Sequence, residues 1–355
     1  MGVSGVSAYG VLNVRVRAGL GEMLAPETFA RMDGSPDVAS ILAILRDTVY
    51  GRVLSKADEG DANPRRITYL LRTHLTEKFE VVVENAPKVA RPLIEQLFRL
   101  YEVDNLKATF RSIQAKDSWD KLRHLLFPMG GFSTLPYERM LATGSVPEVI
   151  GLLENTPYGQ PLKAALPRFL RENDLFAIEV NLDLDYWAKT WKLIDDLPGG
   201  DRRLAHDLIG EIIERNDLLW ATRFFLYYKL SAAEILKYTL GIGPKVPDEV
   251  IGRISQGEPL KSVLASIYPE LRPKTVAEGA ENLDVSHWEI ELHRMYFRHC
   301  RSKLVGPPFN LGVSLAYLFL LEYEIEDIIL LLEAKAMGLP RERYSSYLIN
   351  KVFQS

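Results

Sequence analysis

Apolar residues recur along most of the chain at the spacing of an α-helix. Ile41, Leu42 and Leu45 mark one apolar face, and Ile209 and Ile212 mark another. Residues three and four positions apart share one face of a helix, whereas a strand alternates apolar and polar positions. No stretch shows such alternation over the length of a strand. The pattern therefore predicts an all-α protein.

Short polar motifs predict where several of these helices begin. Ser145, Ser231 and Ser286 each precede a glutamate by three residues. At this spacing the two side chains can satisfy the free N–H groups of a helix start reciprocally. Ser35 followed by Pro36 predicts another start, because proline is favoured at the first helical position.

One segment recurs within the chain. Residues 35–51 and residues 145–159 both end in Leu-x-x-Thr-x-Tyr-Gly, with a shift of 108 positions. A weaker third copy covers residues 257–269, where Tyr268 stands for the tyrosine. The recurrence indicates that the chain contains similar structural units.

The last two residues of this motif predict a helix end. Gly51 and Gly159 can adopt the left-handed conformation of a helix C-terminal cap at little cost. The preceding Tyr50 and Tyr158 are then expected to pack into the core.

Two further motifs recur with nearly the same shift. An Asp/Asn-rich triplet precedes Arg111 and recurs before Arg223, but its third copy precedes Glu333. A second motif links the later two units. Its members are Glu179, Leu182, Tyr186 and Trp187, which recur as Glu289, Leu292, Tyr296 and Phe297.

The agreement of the shifts predicts three similar helical units. Each unit has about 110 residues, a length at which it can bury a core of its own. We place the units at residues 1–125, 126–240 and 241–355. Three similar units can close into a pseudo-three-fold body around an axial cavity, because each presents the same edge to its neighbour.

Charge and composition exclude several classes of protein. The chain of 355 residues carries 43 Lys and Arg against 47 Asp and Glu, and no third of it is basic. A nucleic-acid-binding protein normally carries a basic stripe, so we expect no nucleic-acid partner. Cys300 is the sole cysteine, which excludes an internal disulfide and a cysteine-rich zinc module.

Membrane insertion is not expected either. The N-terminal residues lack the charged and apolar regions of a secretory signal. The longest apolar run, residues 311–321, is shorter than the roughly 18–20 residues of a membrane span and is followed by acidic residues. The sequence therefore predicts no transmembrane segment.

The sequence motifs predict no catalytic residue, no cofactor site and no metal site. The six histidines lack the spacing of a metal-binding pair, and no phosphate-binding glycine loop occurs. Arg111 and Arg223 are interpreted as members of buried structural ion pairs or helix-end contacts, because the planar guanidinium suits that role. Contact with a partner protein is the alternative for both.

Three stretches resemble one known family. Tyr9, Asn13, Arg15 and Arg17 are similar to its opening pattern, and residues 45–51 to an internal segment of the family. Residues 308–340 (PFNLGVSLAYLFLLEYEIEDIILLLEAKAMGLP) resemble its closing signature. The family comprises the C subunits of the archaeal and bacterial A/V-type rotary ATPases, which are relatives of the d subunit of the eukaryotic vacuolar proton pump.

This resemblance implies a non-catalytic adaptor of the central stalk. Such a protein is a three-fold, funnel-like helical body that links the rotor shaft subunits, of D and F type, to the proteolipid (c/L) ring. It lies peripherally on the cytoplasmic face of the membrane and transmits torque. Under this resemblance Arg15 and Arg17 are candidates for structural or partner contacts.

The chain departs from the family pattern at four positions near its end. Leu321, Glu326, Asp327 and Ile329 stand where the family often has basic or amide residues. A partner contact of the family at these positions is therefore in question.

Two other function classes stay open at the level of sequence. One is a helical interaction scaffold unrelated to rotary ATPases, and the other is an enzyme with a non-local site. A polar, solvent-filled axial cavity would favour the adaptor. A convergent cluster of carboxylates or histidines would favour the enzyme.

Overall fold

The computed structural model describes residues 3–56, 63–271 and 285–350, and these residues form α-helices and connecting turns. A single isolated bridge between Ile242 and Pro247 is the extent of β-structure in those ranges. The predicted all-α fold is therefore confirmed. The helices are α1 (Val3–Glu22), α2 (Pro26–Asp33), α3 (Val38–Arg46), α4 (Gly51–Leu54), α5 (Pro64–Asn85), α6 (Arg91–Ala115), α7 (Trp119–Leu122), α8 (Tyr137–Ala142), α9 (Val146–Leu152), α10 (Gly159–Glu172), α11 (Phe176–Asp195), α12 (Gly199–Arg223), α13 (Ala232–Lys237), α14 (Asp248–Ser255), α15 (Leu260–Ile267), α16 (Val285–Lys303), α17 (Leu311–Ala336) and α18 (Arg341–Tyr344).

Helix starts agree with the sequence prediction in part. Ser231 and Glu234 form the expected capping box at α13. Ser145 precedes α9 without a side-chain cap, and Ser286 already lies inside α16. The start predicted at Ser35 is wrong, because the carboxylate of Asp37 caps α3 by accepting the Ser40 N–H at 2.8 Å.

Six long helices form a closed cycle of contacts. Helix α5 packs on α6, α6 on α11, α11 on α12, α12 on α16, α16 on α17, and α17 returns to α5. Helices α12 and α17 also pack directly on each other. Through this cycle the beginning and the end of the chain share one apolar core.

Other helices pack against the cycle. Helix α1 packs on α5 and α17, α8 and α9 pack on α6, and α10 packs on α11. A second apolar core lies where α13 to α15 meet the end of α12 and the first turns of α16. No helix of the described ranges is long and apolar enough to cross a membrane.

The Tyr-Gly motif does not end a helix in the predicted way. Gly51 and Gly159 each begin the next helix, and neither has a positive φ. A Cβ atom on Gly51 would lie 2.1 Å from the carbonyl oxygen of Arg46, and one on Gly159 would lie 2.2 Å from that of Glu154. Close approach to the preceding helix, rather than left-handed backbone, therefore requires glycine at both positions.

Candidate functional site

The tyrosine of the recurring motif has the same kind of partner in all three copies. Each hydroxyl donates a hydrogen bond to a buried glutamate on one of the long helices. In each pair the glutamate belongs to a different predicted unit from its tyrosine. The pairs are Tyr50 with Glu324 of α17 (2.7 Å), Tyr158 with Glu102 of α6, and Tyr268 with Glu214 of α12 (3.3 Å).

These pairs link the predicted units in a cycle. The first unit contacts the third through Tyr50, the second contacts the first through Tyr158, and the third contacts the second through Tyr268. Burial raises the pKa of Glu324 to about 7 and that of Glu214 above its usual range. A buried carboxyl needs hydrogen bonds, and the tyrosine supplies one at each junction.

A second contact recurs in the C-terminal half of α6, α12 and α17. A buried Asn or Asp side chain binds backbone groups 22 to 24 residues further along the chain. Each contact fixes the chain that follows its long helix. The side chains are Asn105, bound to the N–H and C=O of Phe127; Asp217, bound to the N–H groups of Leu240 and Gly241; and Asp327, bound to those of Ile349 and Asn350, all at 2.6 to 2.9 Å.

Arg111 and Arg223 form equivalent ion pairs between long helices. Arg111 of α6 donates to both oxygens of Glu179 on α11, at 2.6 and 2.7 Å. Arg223 of α12 donates to Glu289 on α16 at 2.7 Å. Both arginines are partly exposed, with 63% and 38% of their side chains accessible, so these are not buried ion pairs.

Arg15 and Arg17 lie on the exposed side of α1. Arg17 reaches the carbonyl oxygen of Leu304 at 3.4 Å, whereas Arg15 makes no hydrogen bond or ion pair to the described residues. Val11 and Val14 lie beside Arg15 and are 66% and 67% exposed. This part of α1 therefore presents an apolar strip and a cation that the described part of the chain leaves uncovered.

The four departures from the family pattern are mostly internal. Leu321, Asp327 and Ile329 are buried, and Asp327 serves as the backbone contact described above. Glu326 is exposed and pairs with Arg72 of α5 at 3.2 Å. Three of these positions therefore support the fold and are inaccessible to a partner.

A cavity of about 350 Å³ lies where the six long helices converge, and every one of them contributes to its wall. Its wall is largely aromatic, in contrast to the polar axial cavity that would favour an adaptor. The aromatic members include Tyr101, Tyr186, Trp187, Tyr296 and Tyr323.

Polar groups also border the cavity. Glu322 accepts a hydrogen bond from Tyr101 at 2.7 Å, and burial raises its pKa to about 7. His293 is bonded to the Tyr323 hydroxyl at 2.7 Å, and burial holds its pKa well below its usual range. Arg215 donates to the same hydroxyl at 3.2 Å.

These groups do not form a recognisable catalytic array. Glu322 and His293 are hydrogen-bonded to different tyrosines and not to each other. A general acid and base require positioning toward a shared reacting group, and nucleophilic catalysis requires a nucleophile beside its base. Within the described ranges no group of three His, Cys, Asp or Glu side chains is arranged to hold a metal ion.

One known family matches most of the chain. The sequence profile of the ATP synthase (C/AC39) subunit family matches residues 12–347, which is most of the chain. The chain belongs to this family. The match spans all six long helices, the tyrosine–glutamate pairs and both exposed arginines of α1.

Archaeal proteins of the same family are similar over almost their full length. The C subunit of the A-type ATP synthase of Methanocaldococcus jannaschii is 20% identical over 97% of this chain and 87% of its own. Its counterpart in Pyrococcus horikoshii is 25% identical over 90% of this chain and 84% of its own. The counterpart in Methanosphaera stadtmanae is 22% identical over 91% and 83%.

Proposed function

We propose that this protein is the adaptor of the central stalk of a rotary A/V-type ATPase. It joins the rotor shaft subunits, of D and F type, to the proteolipid ring and transmits torque between them. It has no catalytic role of its own and binds peripherally at the cytoplasmic face of the membrane. Family membership over residues 12–347 is the observation that carries the proposal.

The helical cycle supports this role. A torque-transmitting body must resist twisting, and closely packed helices are stiff because their interiors are packed as densely as organic crystals. The contacts of α17 with α5 close the cycle, and the Tyr50–Glu324 bond reinforces this closure. We infer that the three units form a pseudo-three-fold, funnel-like body with one end for the shaft and the other for the ring.

The test is a binding experiment with the shaft subunits of the same organism. The purified protein and the shaft pair are mixed and separated by size-exclusion chromatography with light scattering, at low and high salt. We expect a complex with one copy of each protein that weakens as salt rises, because polar end surfaces rely on charge complementarity. An affinity unchanged by salt would contradict the polar character of that contact.

Failure to co-migrate at either salt concentration would contradict direct binding to the shaft. The same experiment with the detergent-solubilised ring then tests the other end of the body. Failure with both would favour the alternative, a helical interaction scaffold that serves no rotary machine.

A further inference from the structure

The aromatic cavity at the centre of the helical cycle contains an unsatisfied cation. Arg215 of α12 retains only 9% of its surface exposed and forms no ion pair with any described carboxylate. Its guanidinium donates to Tyr323 and lies 5.3 Å from the ring centre of Tyr296, and its Nε has no acceptor among the described residues. A buried arginine without an ion pair is costly. Glu211 of the same helix acts on the charge of Arg215, but its carboxylate is hydrogen-bonded to His299 instead.

A second donor at the same wall is also unsatisfied. The buried hydroxyl of Tyr296 lies beside the thiol of Cys300, a weak hydrogen-bonding group, and has no nitrogen or oxygen partner in the part of the chain that the structure describes. A buried polar group without a full hydrogen-bond partner destabilises the folded state. Two adjacent unsatisfied donors favour a ligand that supplies acceptor oxygens.

The carboxylates that line the cavity do not supply acceptor oxygens to Arg215. Glu326 pairs with Arg72, and Glu289 pairs with Arg223. Asp327 accepts two backbone N–H groups. Glu322 is held by Tyr101, and it forms no ion pair with Arg215.

We propose that this cavity binds a carboxylate attached to a small apolar or aromatic group, with Arg215 and Tyr296 binding the carboxylate and the aromatic wall binding the apolar group. Arg suits the site because its planar fork matches a carboxylate. A volume of about 350 Å³ is at the lower end of ligand sites, so it admits a small acid or one partner side chain rather than a helix.

Protonation of Glu322 makes binding of an anionic ligand depend on pH. Because burial raises the pKa of this carboxyl to about 7, it is mostly neutral at pH 6 and mostly charged at pH 8. A second negative charge in the cavity repels an anionic ligand, so binding weakens as pH rises. The ionisable groups around it are Tyr101 and Asp104 of α6, Tyr186 of α11, Arg215 of α12, His293 of α16, and Tyr323 and Glu326 of α17.

The first test uses phenylacetate as the probe and phenylacetamide as its neutral counterpart. The indole N–H signal of Trp187, which lines the cavity, is followed by NMR in the isolated full chain and assigned with the variant Trp187→Phe. We expect saturable binding of phenylacetate that is at least about tenfold stronger than that of phenylacetamide. Equal binding of the two probes, or no saturable shift, would overturn the proposal.

Three variants separate the proposed site from a structural effect. Arg215→Gln is expected to lose the preference for phenylacetate, and Arg215→Lys to retain part of it. Glu322→Gln is expected to bind equally at pH 6 and pH 8, whereas the wild type and Glu333→Gln, an exposed control on the same helix, bind more tightly at pH 6. If the Arg215 variants fail to fold, Glu322→Gln still tests the proposal. Probe binding by Glu322→Gln that weakens with pH as much as in the wild type would refute it.

Competition distinguishes two sources of the carboxylate. If phenylacetate displaces the shaft pair, the natural ligand is a carboxylate of that partner. If it binds without displacing the pair, the ligand is a free small acid. The probe experiments stand independently of the proposed function, because they use the isolated chain.

Discussion

At the scale of single residues, two kinds of position hold this fold together. Gly51 and Gly159 permit close approach between consecutive helices. Glu102, Glu214 and Glu324 are carboxyl groups withdrawn from bulk water and held by tyrosines from other parts of the chain. The glycines act through excluded volume and the glutamates through buried hydrogen bonds, so the two kinds of position respond to different substitutions.

The glycine contact predicts a large effect of one methyl group. Gly51→Ala places a Cβ about 2.1 Å from the Arg46 carbonyl oxygen, so one helix must move. We expect the free energy of unfolding to fall by about 1–3 kcal/mol. The matched control is Gly151→Ala in α9, where nothing lies within 4 Å of the new Cβ. This control should gain about 0.5–1 kcal/mol, and a similar loss in both variants, measured by denaturant unfolding, would contradict the explanation.

The raised pKa of Glu324 predicts that the stability of the fold depends on pH. Its pKa is about 7 in the folded protein and near 4.5 when exposed, so the folded state holds a proton that the unfolded state releases between these values. The contribution of this group to stability therefore falls as pH rises from about 5 to about 7, and changes little above.

Glu324→Gln tests this linkage. An amide can accept the Leu24 N–H and donate to the Tyr50 hydroxyl, the two groups that Glu324 contacts. We expect the variant to gain stability over the wild type between pH 5 and pH 8, as measured by thermal unfolding across that range. A difference between variant and wild type that stays constant with pH would show that Glu324 is ionised throughout.

At the scale of elements, the helices were predictable from sequence, but their contacts were only partly so. Apolar spacing marked faces of α3 and α12, and the recurring motifs identified Tyr50, Tyr158 and Tyr268 as equivalent. The partner glutamates recur with nearly the same shift as the tyrosines, so the repeat contained a signal for them as well. Their pairing depends on distant packing, which local pattern does not encode.

The ion pairs between long helices are expected to contribute little to stability. Arg111 is 63% exposed, and exposed ion pairs contribute at most about 1 kcal/mol. Arg111→Gln should therefore lower the free energy of unfolding by less than about 1 kcal/mol, and by less still in high salt. Arg15→Gln is the control, because Arg15 has no ion pair with the described residues. A loss well above about 1 kcal/mol for Arg111→Gln would show that the pair is essential to the packing of α6 on α11.

At the scale of the whole molecule, the cycle of six helices joins the first and last thirds of the chain. The sequence predicted three units at residues 1–125, 126–240 and 241–355, and the boundaries stay a prediction. The chemistry of the central cavity could not be predicted, because Arg215, Tyr296 and Glu322 come from three different helices. In the sequence, each of these three residues has the features of an ordinary helix residue. Only the packing of α12, α16 and α17 brings them together.

Torque transmission by this protein requires that ion pumping depend on it, and a coupling measurement tests that dependence. The complete rotary complex of the source organism is reconstituted into vesicles with and without this protein. ATP hydrolysis is measured alongside the membrane potential, which reports pumping whichever ion is coupled. We predict that without the protein hydrolysis continues while the potential is lost, and that adding it back in purified form restores the potential. A potential that develops equally well in its absence would contradict the account.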